Sequence, residues 1–174
     1  MYTHRDLCRL TAAWILQKPG IDLACYEMRW NKGLVDVIGL SSSERCKNKR
    51  LIVIEVKRTR SDLLQDLRKK KLCKYESKAT HCYLAATAEA LQYSNINKTK
   101  ILNDLRKKGL PVQWGVILLP TKASNQKPRV LSNPRKMRPA HSRTLKALIR
   151  KIARSYMYRV LSDTSPMSKE ISDL

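Results

Sequence analysis

Apolar and polar positions switch between two rhythms along the chain. Over residues 3–18, Leu7, Leu10, Ala13, Trp14 and Leu16 recur at helical spacing; Thr3 is placed to cap the start and Pro19-Gly20 to end the element. Short runs rich in Val, Ile, Leu or aromatic residues follow at 24–30, 34–40 and 51–57, bounded by Gly, Asn, Ser and Lys, and these predict three strands. The helical rhythm returns at 61–77 with Thr59 or Ser61 as cap and Leu63, Leu64, Leu67, Leu72 and Tyr75 as the buried stripe. A strand at 80–86, a helix at 96–108 closed by Gly109, and a strand at 112–119 complete the pattern. This order predicts an α/β fold: an antiparallel meander of three strands, then helical crossovers, giving a central mixed β-sheet of about five strands flanked by helices.

Beyond 119 the periodicity fades. Residues 120–139 hold four prolines and six Lys or Arg, which suits a basic loop or an extended arm ordered by a polyanion; a solvated linker is the equal alternative. Leu145, Leu148, Ile149, Ile152, Tyr156 and Val160 then mark a C-terminal amphipathic helix at 141–162, expected to pack on the core, and 163–174 reads as a flexible tail. The expected organisation is thus a core at 1–119, an arm at 120–140, the last helix and the tail.

Three charges interrupt the apolar strands: Asp36 in Leu34-Val35-Asp36-Val37-Ile38-Gly39-Leu40, and Glu55 and Lys57 in Leu51-Ile52-Val53-Ile54-Glu55-Val56-Lys57. A carboxylate buried in such a strand costs on the order of several kcal/mol unless a cation, hydrogen bonds or a metal compensates it. Side chains alternate along a strand, so Glu55 and Lys57 share a face while Val56 leaves its carbonyl nearby. With Asp36 beside Glu55 across the hairpin, two carboxylates and the Val56 carbonyl would suit Mg²⁺, with Mn²⁺ as a substitute, and Lys57 would orient a metal-activated water or stabilise charge at phosphorus. Glu27, nine residues before Asp36, is a candidate third acid; an exposed strand Glu paired with Arg29 is the equal alternative. A structural Glu-Lys ion pair beside an unrelated Asp is the bland reading of the same residues.

Asp36, a gap, then Glu55-Val56-Lys57 resembles the signature of the PD-(D/E)XK nuclease superfamily, with Val35 where the family places its proline. The continuation Arg58-Thr59-Arg60-Ser61-Asp62-Leu63-Leu64-Gln65-Asp66, a basic helix and the strand from His81 are similar to a small DNA-repair or resolvase-like subgroup. The resemblance spans about residues 24–119 in element order and is motif-specific only at 36 and 55–66. It implies a restriction-endonuclease-like core, Asp36 and Glu55 as metal ligands, Lys57 as a catalytic residue and Gln65 as an auxiliary polar residue facing the site. Many relatives also place a metal-site Glu on the helix before the first strand. Here that helix carries only Asp6, whose place in the first turn suits the helix dipole.

Composition sharpens the choice of partner. The 174 residues hold 36 Lys plus Arg against 14 Asp plus Glu, a net charge of +22, which points to a polyanion, DNA first and RNA also open. Arg68, Lys69, Lys70, Lys71 and Lys74 crowd the helix that follows the site, and with Arg58 and Arg60 they are the expected phosphate contacts. The loop at 41–50 is basic too, though a solvated turn explains it as well. No apolar run approaches the roughly 20 residues of a spanning helix, and residues 1–6 lack a signal-peptide pattern, so no membrane role and an intracellular site, cytoplasm, nucleoid or nucleus, are expected. Cys8, Cys25, Cys46, Cys73 and Cys82 are odd in number with no Cys-x-x-Cys, and His4, His81 and His141 have no metal-pair spacing. The absence of a Gly-rich phosphate loop argues against an NTPase.

The expectation is a Mg²⁺-dependent DNA endonuclease acting in repair, recombination or mobile-element processing, with a homodimer as one way to cut both strands. Its alternatives are a catalytically silent basic module with the same fold, and a membrane-surface or partner-binding protein that uses the last helix.

Overall fold

The computed structural model describes residues 2–30, 33–41, 50–92, 97–120, 127–137 and 142–163. The chain divides into two compact units, Met1–Ala140 and His141–Leu174. Among the described residues, the second holds the helix α5 (Ser142–Asp163). Residues 42–49 of the expected basic loop, 121–126 and 138–140 of the expected arm, and the tail beyond 163 lie outside the described residues.

In the first unit, α1 (His4–Leu16) is followed by β1 (Leu23–Trp30), β2 (Gly33–Leu40) and β3 (Leu51–Lys57). Next come α2 (Arg60–Arg68), a 3₁₀ turn (Lys71–Tyr75), β4 (His81–Thr87), α3 (Ala88–Leu91), α4 (Lys98–Lys107), β5 (Gly115–Leu119) and β6 (Arg129–Ser132). The six strands form one sheet in sequence order. β1, β2 and β3 are antiparallel, β3–β4 and β4–β5 are parallel through helical crossovers, and β5–β6 is antiparallel. The mixed α/β sheet is therefore as expected, with six strands instead of about five.

The extra strand lies within the segment expected to be an irregular arm. Arg129-Val130-Leu131-Ser132 has no usable period and stands between Pro128 and Pro134; it becomes a strand because β5 would otherwise present an unpaired edge. Its pairing brings Ser132 oxygen against Gly115, which the Tyr83 ring of β4 already flanks, and an added Cβ there would meet both at 2.6–2.7 Å.

α1 starts as expected: Thr3 Oγ1 accepts from the Asp6 amide at 3.1 Å and the Asp6 carboxylate accepts from the Thr3 amide at 3.0 Å, a complete capping box. Its buried face is Leu7, Cys8, Thr11, Ala12, Trp14 and Ile15, while Ala13 and Leu16 of the expected stripe are exposed. The true stripe includes a cysteine and a threonine, whose hydroxyl donates to Leu7 oxygen at 2.7 Å. This face packs on Val37, Ile54, Val56, Ala85, Ile117 and Leu119, so α1 covers one side of the sheet. By alternation, Glu55 and Lys57 belong to the other side, while Asp36, in the gap beyond the last β2–β3 pair, also reaches His4 of α1.

α4 ends at Gly109, as expected from sequence: Gly109 has φ +104, its amide donates to Arg106 oxygen at 3.1 Å, and the Leu110 amide donates to Leu105 oxygen at 2.9 Å. α2 does not run to 77. It stops at Arg68, Lys70 turns left-handed at φ +50, and the chain re-enters as the 3₁₀ turn that buries Leu72 and Tyr75. A straight helix would line up Arg68, Lys69, Lys70, Lys71 and Lys74 over about two turns; the break disperses that repulsion and returns Lys71 to an acid of α2.

Candidate metal and phosphodiester site

The strand register places three acids in one row. Tyr26 pairs with Val37 and Met28 with Val35, so Glu27 stands across from Asp36; Val37 pairs with Ile54, so the next step puts Asp36 across from Glu55. The β2–β3 ladder stops at Val37–Ile54, and beyond it the Val56 amide donates to Asp36 Oδ2 at 2.7 Å. Amide and carbonyl of one strand residue leave on the same side, so the Val56 carbonyl opens into the same gap. Asp36 Oδ1 lies 3.5 Å from His4 Nε2.

Asp36, Glu55 and Lys57 are buried, at 7%, 7% and 5% exposure. Their neighbour Asp66, on α2, is buried as well. Lys57 Nζ lies 2.6 Å from Asp66 Oδ2, 3.4 Å from Glu55 Oε1 and 3.6 Å from Asp62 Oδ2, and Lys71 Nζ lies 2.8 Å from Asp66 Oδ1. Burial opposes the charge on Lys57, but Glu55 and the hydrogen bond to Asp66 outweigh it and hold the ammonium above its ordinary pKa. Burial likewise works against the Asp66 carboxylate, and the hydrogen bonds from Lys57 and Lys71 more than offset that, leaving its pKa low.

Glu55 is the group left short. Burial first, then the Asp36 charge, push its carboxyl up to about 7, against the pull of Lys57 and Lys74. Its Oε2 is buried with no hydrogen-bond partner. A buried carboxylate oxygen without a donor, beside a second carboxylate and a backbone carbonyl, is an all-oxygen donor set of the kind hard divalent cations take. Asp36, Glu55 and the Val56 carbonyl are the residues that could hold a hard cation such as Mg²⁺, with Glu27 in line with them by register. The three acids do not bring their oxygens within 4.8 Å of one another, and the donors that do converge among the described residues are His4, Cys8 and Asp36.

Glu27 has φ +50 within a strand, a conformation that costs an L-residue about 1–2 kcal/mol. Its carboxylate lies 3.6 Å from Arg5 Nε, so the ion-pair partner is on α1, and Arg29, the partner expected of a plain strand Glu, is exposed. Tyr75 closes the other flank. Its hydroxyl donates to Leu34 oxygen at 3.1 Å, and burial, followed by Glu55 and Asp36, raises its pKa. The ring stacks on Trp30 at 6.3 Å and carries Lys74 Nζ at 4.5 Å from its centroid.

The other expected residues are sorted by exposure. Gln65 faces outward, and the side chain of that helical turn that reaches the site is Asp66, because Leu63 and Leu67 fix which face of α2 is buried. Arg58, Arg68, Lys69, Lys70, Lys71 and Lys74 are exposed. Arg60 is not available as expected: its guanidinium donates to Ala90 oxygen and to Asp104 Oδ2, each at 3.1 Å. Sequence reasoning missed Asp66, Asp62, His4 and Tyr75. The signal for Asp66 was present, since an acid next to Leu67 and three residues after Leu63 lies on the buried face.

The chain matches no family model and no curated protein sequence.

Proposed function

We propose that this protein is a Mg²⁺-dependent nuclease of the PD-(D/E)XK type that hydrolyses phosphodiester bonds in DNA. The observation that carries the reading is the row of Glu27, Asp36 and Glu55 across three adjacent strands, with a buried, partnerless Glu55 Oε2 at its β3 end and Lys57 on the face of Glu55. Bound there, Mg²⁺ would supply Lewis-acid polarisation of a phosphate oxygen and a water of lowered pKa. The chain's own residues do the rest. Asp36 is oriented by the Val56 amide, so its geometry is set before substrate arrives. Lys57 is kept charged by Asp66 and Glu55 and acts as a fixed cation that orients the attacking water or stabilises charge on the pentavalent phosphorus. Of the exposed cations that follow α2, Lys71 reaches Asp66 and Lys74 lies over the Tyr75 ring, so these two stand beside the row, where a phosphate backbone would be held.

One observation favours the silent binding module: Lys57 is close to three acids at once, as a purely structural ion-pair centre would be. The two readings separate in a cleavage assay on end-labelled duplex, nicked, flap, four-way junction and single-stranded substrates, with DNA and RNA versions. Wild type, Asp36→Ala and Glu55→Ala are compared in Mg²⁺, Mn²⁺ and chelator. Metal-dependent cutting by wild type alone, with binding kept in both variants, supports the nuclease; equal binding with no cutting by any of the three supports the module.

A further inference from the structure

We infer that the protein holds a second, chemically different metal site, built from His4 Nε2, Cys8 Sγ and a carboxylate oxygen of Asp36, that takes a thiophilic transition ion such as Zn²⁺. The three donor atoms lie within 4.8 Å of one another. His4 Nε2 is 3.5 Å from Asp36 Oδ1 and 3.4 Å from Cys8 Sγ. With Zn–N and Zn–O near 2.0–2.1 Å and Zn–S near 2.3 Å, the edges of a tetrahedral zinc site come to about 3.3–3.6 Å, so two of the three edges already have the required length.

The donor chemistry separates this site from the carboxylate row. Imidazole and thiolate select Zn²⁺ and its neighbours in the transition series, whereas Mg²⁺ requires oxygen. His4 and Cys8 are one helical turn apart on α1, which approaches from the side opposite Glu55, and the rigid capping box at Thr3 fixes the helix end that carries His4. Cys8 is fully buried, and His4 is partly exposed, with 41% of its side chain in contact with solvent, so an ion enters past the imidazole. Three protein ligands leave the fourth position to water, as in open zinc sites. Binding releases the Cys8 proton, because the thiolate is the ligand. Asp36 belongs to both donor sets, so an ion held by His4 and Cys8 draws on the same carboxylate that the row would offer to Mg²⁺.

The test needs no nuclease activity and so stands apart from the preceding reading. Co²⁺ is titrated into the reduced 174-residue protein and thiolate-to-Co²⁺ charge-transfer absorption is followed, with Zn²⁺ added afterwards as competitor. The expected result is one equivalent of Co²⁺ giving that band, its displacement by Zn²⁺ but not by Mg²⁺, and loss of the band in Cys8→Ser. His4→Gln, a substitution at a partly exposed position, is expected to weaken Co²⁺ binding by more than about tenfold, at least what loss of a supporting hydrogen-bond partner costs a metal site. Cys25→Ser, Cys73→Ser and Cys82→Ser are expected to bind as wild type. Absence of the band in wild type, its survival in Cys8→Ser, or unchanged affinity in a folded His4→Gln protein overturns the assignment.

Discussion

Lys57 Nζ and Asp66 Oδ2 meet at 2.6 Å, joining the end of a central strand to the buried face of the helix that follows it. This contact fixes where the only buried ammonium among the described residues points, because Lys57 is bracketed by Glu55 on its own strand and by Asp62 and Asp66 on α2. Removing one partner of a buried pair leaves the other charge uncompensated, at a cost of about 3–5 kcal/mol. In Asp66→Ala, Glu55 and Asp62 remain beside Lys57, so the expected loss of unfolding free energy in urea titration is smaller, about 1.5–3 kcal/mol, the order of a hydrogen bond to a charged group. Asp66→Asn, which keeps a hydrogen-bond acceptor, is expected to fold and to lose nuclease rate with little change in DNA affinity. Wild-type rates in a folded Asp66→Asn protein would detach Lys57 from the chemistry.

Glu55→Gln is expected to separate stability from activity. The substitution removes a buried charge that faces Asp36, so the metal-free protein at pH 7.5 should gain on the order of 1–3 kcal/mol while cleavage is lost. Urea midpoints and cleavage rates measured on one preparation decide the matter. A loss of stability would mean that Glu55 earns its place as the Lys57 counter-ion.

The metal-free protein is expected to weaken as pH rises through neutrality. Glu55 titrates near 7 in the fold against about 4.5 unfolded, so between those values the native state binds the extra proton and stability falls with rising pH. His4 adds to the same direction: Asp36 raises its pKa, and that contribution, full below about 6.5, is lost as pH passes the folded value. Unfolding midpoints at pH 5 and pH 8 with chelator should differ accordingly, and Glu55→Gln should flatten the slope. A midpoint that rises from pH 5 to pH 8 would contradict the environment assigned to Glu55.

Glu27→Gly relieves the left-handed strain at φ +50 and is expected to stabilise the fold by about 1 kcal/mol, since glycine alone adopts that conformation without penalty. If Glu27 completes the acid row, the same variant loses cleavage rate. Thermal melting and single-turnover kinetics report the two effects independently.

DNA affinity should fall steeply with salt. Each phosphate contact contributes a slope of about −0.9 in log affinity against log salt on duplex DNA, so Arg68→Ala with Lys69→Ala should flatten the slope by roughly 2, whereas Arg60→Lys, at a position engaged with Asp104, should leave it unchanged. Filter-binding or anisotropy titrations from low to physiological salt measure this.

What the sequence determined by itself was local. Period-2 and period-3.6 runs, the Thr3 cap and the Gly109 stop depend on neighbours a few residues away, and they placed α1, the strands β1 to β5 and the end of α4 to within a few residues. The charges inside β2 and β3 were visible because a buried strand rarely tolerates them, and alternation alone put Glu55 and Lys57 on one face. Tertiary structure decided whatever depends on which surfaces meet. β6 exists because an edge needed a partner, α2 breaks at Lys70 because its cations repel and Lys71 finds Asp66, and Arg60 is taken by Asp104 across 44 residues. The grip of Asp66 on Lys57 and the approach of His4 to Asp36 leave no periodic trace, since each joins segments whose separation along the chain is set by loops and helices and not by any repeating pattern.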